Sequence, residues 1–136
     1  GASIPFEKGL WGHSDADVLT HALIDALLGA VGLGDIGQHF PDTDPQYEGI
    51  SSLELLRRTM QMLGAGGWRA VNMDATIVAE RPLLSPFVPE MRQKLSPVLG
   101  LTAEDVSVKS KRAEGLSFSG SGQGIAAYAV VLVERI

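Results

Sequence analysis

The chain contains no cysteine. Disulfides, thiolate zinc centres and thiol nucleophiles are therefore excluded together, and a transition metal here would need imidazole and carboxylate ligands. Basic residues are few and scattered. Eleven Lys and Arg stand against 16 Asp and Glu, a net charge of −5, which is the reverse of the footprint that nucleic acid selects. No apolar run approaches the roughly twenty residues that span a bilayer, and no signal-peptide pattern opens the sequence. Neither nucleic acid nor membrane is expected as a partner, and the composition fits a bacterial cytoplasm or a plastid stroma. An initiator Met is also missing. The opening Gly1-Ala-Ser-Ile-Pro5 reads like the middle of a domain, so a processed or truncated chain is expected.

What remains is an ordinary globular composition, 45% hydrophobic and 20% charged over 136 residues, enough for a single domain with a real core. All three histidines fall within residues 13–39 and are interleaved with carboxylates, in His13-Ser-Asp-Ala-Asp-Val-Leu-Thr-His21 and Gly34-Asp-Ile-Gly-Gln-His-Phe-Pro-Asp-Thr-Asp44. Imidazole and carboxylate suit zinc, and carboxylate oxygens suit a second, harder ion. An acidic site also repels a phosphate substrate unless cations intervene.

Ser14 followed by Asp15 and Asp17 reads as a helix N-terminus. Val18, Leu19, Ala22, Leu23, Ala26 and Leu27 then recur at helical spacing until Gly29–Gly34 closes the helix. His21, Asp25 and Asp17 share one face. Residues 35–49 read as a loop, and Ser51-Ser-Leu-Glu54 is a capping box opening a second helix to about Gly64. After Gly66-Gly67, Val71, Met73, Ala75, Ile77 and Ala79 alternate with polar residues, as in a half-buried strand. A proline-punctuated loop leads to a third helix near 87–98, then a short strand at Val106–Lys109. The segment Ile125–Val133 is almost continuously apolar and is expected to be covered on both faces, one of them by another subunit. This order predicts an α/β sandwich, a mixed sheet packed on one side by helices.

These blocks resemble the 2-C-methyl-D-erythritol 2,4-cyclodiphosphate synthase family. The resemblance lies in His13-Ser-Asp-x-Asp-Val, His21-Ala-Leu, Gly34-Asp-Ile-Gly37 and Phe40-Pro-Asp-Thr-Asp44, with Asn72-x-Asp-x-Thr-Ile77, Glu114-x-Leu-x-Phe118 and Gly120-x-Gly-x-Gly-Ile125 in register downstream. It implies a homotrimer with active sites between neighbouring chains. It further implies conversion of 4-diphosphocytidyl-methylerythritol 2-phosphate to a cyclic diphosphate with loss of CMP, in non-mevalonate isoprenoid synthesis. Such an intramolecular phosphoryl transfer depends on positioning and charge neutralisation, here by Zn²⁺ and a second divalent ion, Mg²⁺ or Mn²⁺.

By the same resemblance His21 is one zinc ligand, the other two coming from an Asp-x-His motif on a first strand that the given sequence does not contain. Glu114 matches the ligand of the second metal. His13 and Ser14 match the pair holding the substrate phosphates, with His13 acting on the reacting oxygens. Asp35, Ile36 and Gly37 match the contact to the methylerythritol hydroxyls, and Phe40, Pro41, Asp42, Thr43 and Asp44 line the same pocket. Ala79, Pro82, Leu84 and Ser85 belong to the loop whose backbone reads cytosine, and Ala113 and Phe118 match further substrate-binding positions.

The chain departs from the family at three places. Leu83 stands where lysine is common. Ser121 replaces an arginine that, with the residue at Phe118, faces a trimer cavity associated with isoprenoid diphosphates. Arg112 stands where a catalytic threonine holds the diphosphate, and a guanidinium there would also stabilise phosphate charge, with different geometry. These departures keep open the alternative of a non-catalytic trimeric homologue that binds cytidine diphosphates. Residue types alone favour plainer roles. His21 reads as a satisfied, partly buried histidine, with Asp25 as a partner fixing its tautomer. Asp15 and Asp17 read as helix-terminus residues, His39 as structural and Glu114 as a solvated carboxylate. Gly120-x-Gly-x-Gly124 leads into a β-like segment, so it reads as tight turns rather than a nucleotide fingerprint.

Overall fold

The computed structural model describes residues 9–79, 85–112 and 125–136, with the backbone alone for 9–15 and 85. The first helix, α1 (Gly9–Ala30), is the centre of the core. Leu19, Leu23, Ile24, Leu27 and Leu28 form one fully buried stripe, each such side chain contributing about 1.5–3 kcal/mol by leaving water. The helix stops where Gly32 turns left-handed at φ +74°. Leu33 N–H then reaches back to Leu28 O at 2.8 Å and Gly32 N–H to Gly29 O at 3.2 Å, a closure that favours glycine.

The start of α1 differs from the sequence reading, which placed the N-terminus at Ser14. Asp17 lies inside the helix, where its carboxylate accepts the Ser52 hydroxyl at 2.6 Å. Its negative charge serves a contact with the next long helix, not the orphan N–H groups of a first turn. That helix, α3 (Ser52–Ala65), begins as expected, with Ser51 Oγ accepting Glu54 N–H at 3.1 Å. Glu54 turns to Arg57 and Arg58, whose guanidinium groups, Arg57 first, hold its carboxyl below the usual carboxylate range. The buried hydroxyls of Thr20 and Thr59 donate to Ala16 O and Leu55 O within their own helices, so neither is left unsatisfied.

The span 35–49 is more ordered than a loop. It holds the short helix α2 (Ile36–His39) and a 3₁₀ turn at Pro45–Tyr47, capped by the carboxylates of Asp35 and Asp44.

Gly67, at φ +85°, turns the chain into β1 (Trp68–Ala79). Helix α4 (Val88–Leu99) follows and returns to β2 (Val106–Arg112), parallel to β1 from Met73↔Val106 to Ala79↔Arg112. The last strand, β3 (Ile125–Arg135), is antiparallel to β1, so the sheet order is β2-β1-β3. The alternation along β1 holds from Met73 to Ala79. Val71 departs from it because a bulge between Ala70 and Asn72 inserts one residue and shifts the phase.

Met73, Ala75, Ile77, Val106 and Val108 turn inward beneath the helices. The mixed sheet with helices packed on one side is as expected. The opposite sheet face carries the Asp74–Lys109 pair at 2.7 Å, whose ammonium, with a lesser contribution from Ser107, lowers the Asp74 carboxyl. On the same face β3 exposes Tyr128 (65%), Val130 (72%) and Leu132 (54%). No helix among the described residues is long and apolar enough to cross a membrane.

Candidate functional site

Behind the end of α1 the segment 33–40 is pinned by short-range geometry. Asp35 is extended (φ −136°, ψ 175°) and its Oδ1 accepts Gln38 N–H at 3.0 Å. Asp25 Oδ1, on α1, accepts Ile36 N–H at 2.7 Å. His39 Nε2 lies 2.6 Å from Leu33 O; the contact requires the proton on that nitrogen. Gly34 has φ +91°, and a Cβ there would fall 1.8 Å from Gln38 Oε1. The glutamine side chain can move away; the left-handed backbone would remain strained for any other residue.

The pinned segment forms one wall of a cavity of about 430 Å³, within the usual range for a small-molecule site. Its polar rim is His21 from α1, the backbone around Gly37, and Asp42; its apolar floor is Ile36, Phe40, Tyr47, Ile50 and Leu55, with Pro41 between. Tyr47 meets Phe40 edge to face, with centroids 5.4 Å apart at 86°, which fixes both rings. The neighbouring Asp44 carboxylate accepts Gln46 Nε2 at 2.8 Å and Gln46 N–H at 3.0 Å. These two bonds, the side-chain one first, lower its pKa and keep it ionised.

Six of the residues singled out from the sequence thus meet in one cavity: His21, Ile36, Gly37, Phe40, Pro41 and Asp42. Asp35 and Asp44 stand beside it as capping residues, with Thr43 exposed between Asp42 and Asp44. Ala79 and Arg112 are paired across the ends of β1 and β2, and neither lines this cavity. His13 and Ser14 lie on α1, and Ser85 opens the 3₁₀ turn Ser85–Phe87; the side chains of all three are outside the description. Pro82, Leu84, Ala113, Glu114 and Phe118, with Leu83 and Ser121, lie outside the described residues.

His21 is exposed, so the satisfied, partly buried histidine expected from residue type alone does not hold. Asp25 engages Ile36 N–H. His39 keeps a structural role, as expected. Sequence reasoning missed Tyr47, Ile50 and Leu55. The available signal was three apolar side chains spread over the end of the polar loop and the start of α3. Among the described residues no group of three His, Asp or Glu comes together to hold a metal. His21 fits as a single imidazole donor, and the described donor set is incomplete for zinc.

The model of the YgbB family matches residues 1–134. The chain belongs to the YgbB family. Similar members include proteins named 2-C-methyl-D-erythritol 2,4-cyclodiphosphate synthase. The one from Geobacter metallireducens is 57% identical over 135 residues, covering 99% of this chain and 86% of the relative. The one from Syntrophomonas wolfei is 56% identical over the same length and shares. A solved structure of the same synthase, in a CDP-bound form, superposes with a TM-score of 0.77 at 37% identity, covering 85% of this chain and 74% of that one. The α/β fold with helices on a mixed sheet is therefore that of a YgbB-family structure.

Proposed function

We propose that this chain is a 2-C-methyl-D-erythritol 2,4-cyclodiphosphate synthase of non-mevalonate isoprenoid synthesis. It converts the 4-diphosphocytidyl 2-phosphate substrate to the cyclic diphosphate and CMP, in a bacterial cytoplasm or a plastid stroma. The single observation that carries the reading is the cavity itself, which joins His21 to the 36–42 segment in a chain 57% identical to a protein of that name.

The reaction forms a bond from a 2-phosphate oxygen to the β-phosphorus and breaks the bond to CMP. This chain's part is to hold those groups in line and exclude water. Ile36, Phe40 and Tyr47 receive the methyl-branched carbon skeleton against an apolar floor, while Asp35 and the backbone at Gly37 take its hydroxyls. His13 and Ser14 hold the phosphates, and residues 79–85 read cytosine. His21 supplies one zinc ligand, with its fellow ligands outside the described residues, and Glu114 serves a second divalent cation. When bound, these ions neutralise the diphosphate charge that the acidic surroundings would otherwise repel.

The same reading makes the protein a homotrimer. Tyr128, Val130 and Leu132 form an apolar row on a sheet face that no helix covers among the described residues, and identical neighbours can cover one another around a threefold axis. The function is tested by incubating the protein with substrate, Zn²⁺ and Mg²⁺ and identifying products by mass spectrometry. CMP and a cyclic diphosphate are expected in equal amounts; absence of CMP sinks the enzymatic reading.

Arg112, exposed at the end of β2, bears on the non-catalytic alternative. Its guanidinium is expected to strengthen binding of the diphosphate before and during reaction alike, which does not speed chemistry. Arg112→Thr should therefore weaken CDP binding by about tenfold, the lower end for losing a charge-assisted hydrogen bond, with turnover equal or faster. Equal CDP affinities by calorimetry would place Arg112 outside the site.

A further inference from the structure

We propose that Asp25 is a positioning residue, holding the wall of residues 35–37 in the conformation that receives the substrate's polyol. This rests on the reading above that the polyol lies against that wall. Ile36 is the first residue of α2, so its N–H is one of the donors a helix leaves without an internal acceptor. Asp35 caps the helix by taking Gln38 N–H, and the Ile36 donor is taken by Asp25 Oδ1 at 2.7 Å, 11 residues away. That bond joins α1 to α2 directly.

Asp25 is well placed for this work. Its neighbours Leu23, Ile24, Leu27 and Leu28 are fully buried, so its backbone belongs to a stretch of α1 anchored in the core. It also stands one helical turn beyond His21, on the same face of α1. The polar rim and the polyol wall of the cavity are therefore set from one rigid helix. Asp25 itself is exposed, so its removal should leave global stability nearly unchanged while releasing the wall. A residue needed only for folding would behave in the opposite way.

Asp25→Ala and Asp25→Asn separate the possibilities, because asparagine retains an oxygen acceptor for the Ile36 N–H. Three measurements are made on each protein: KM and kcat with the diphosphocytidyl substrate, calorimetric affinity for CDP, and amide hydrogen exchange of residues 33–40 without ligand. Asp25→Ala should raise KM about tenfold, as expected for lost positioning contacts, leave CDP affinity within about twofold, and accelerate exchange across the segment. Asp25→Asn should restore KM to within about threefold of wild type. An unchanged KM in Asp25→Ala overturns the proposal. So does an equal loss of CDP affinity, which marks general loosening, and so does an Asn variant as impaired as Ala, which makes charge rather than the accepted N–H the requirement. Should the wild-type protein release no CMP, the proposed function fails separately and exchange decides the anchoring. Unchanged exchange in Asp25→Ala then overturns it, and faster exchange supports it.

Discussion

His21→Ala is expected to cut CMP release by at least about a hundredfold, since residues that merely orient a metal ligand cost 10–100-fold when removed and a ligand should cost no less. The same substitution should scarcely move the thermal unfolding midpoint. His21 is exposed and outside the buried stripe of α1, where replacements typically change stability by less than about 0.5 kcal/mol. The two effects together make the test specific. Zinc content measured by plasma mass spectrometry should fall with activity while the circular dichroism spectrum stays unchanged. A variant that keeps turnover within about threefold of wild type, well short of the loss expected for a ligand, would remove His21 from the proposed zinc site. It would also return that residue to the role of an ordinary surface histidine.

Val130→Asp should convert the proposed trimer to folded monomers. Val130 is 72% exposed on the sheet face opposite the helices and lies across from Asp74 on β1. In the isolated chain an aspartate there meets water and costs only strand preference, together with repulsion from Asp74, within about 1 kcal/mol. In a threefold assembly each subunit would bury that carboxylate against a neighbour's apolar row. Desolvating an unpaired charge costs several kcal/mol per site. The wild-type face gains about 1.5–3 kcal/mol for each side chain it covers. Light scattering at micromolar concentration should therefore give three times the chain mass for wild type and the single-chain mass for the variant. A variant that stays trimeric would move the interface to another surface, and a monomeric wild type would refute the assembly. Because the active sites are proposed to lie between neighbouring chains, the monomeric variant should also lose CMP release.

The elements best legible in the sequence are those specified by neighbours within four residues. Ser51 and Glu54 mark the start of α3, Gly66-Gly67 the turn into β1, and the alternation from Met73 to Ala79 the inward face of that strand. The Schellman-type ending at Gly32 likewise depends on one residue that tolerates a left-handed backbone. Elements whose signals admit a second use were misread. Asp17 has the chemistry of a first-turn carboxylate, yet its partner is Ser52, 35 residues away. Val71 sits on the expected phase of β1, but the bulge that displaces it is a matter of pairing with β3.

The candidate site divides along the same line. The sequence by itself determined the available metal chemistry, because a chain without cysteine has mainly imidazole and carboxylate groups with which to hold a transition metal. It also carried the motif spacing that marks the family. The tertiary structure alone decided that His21 is exposed at the rim of the cavity that Phe40 and Asp42 line, that Tyr47, Ile50 and Leu55 complete its floor, and that Asp25 serves the backbone of Ile36. The physical reason is range. Caps, turns and alternation are energies of adjacent residues. A cavity and its anchors form between segments that meet only when the buried stripe of α1 has packed against the sheet and α3.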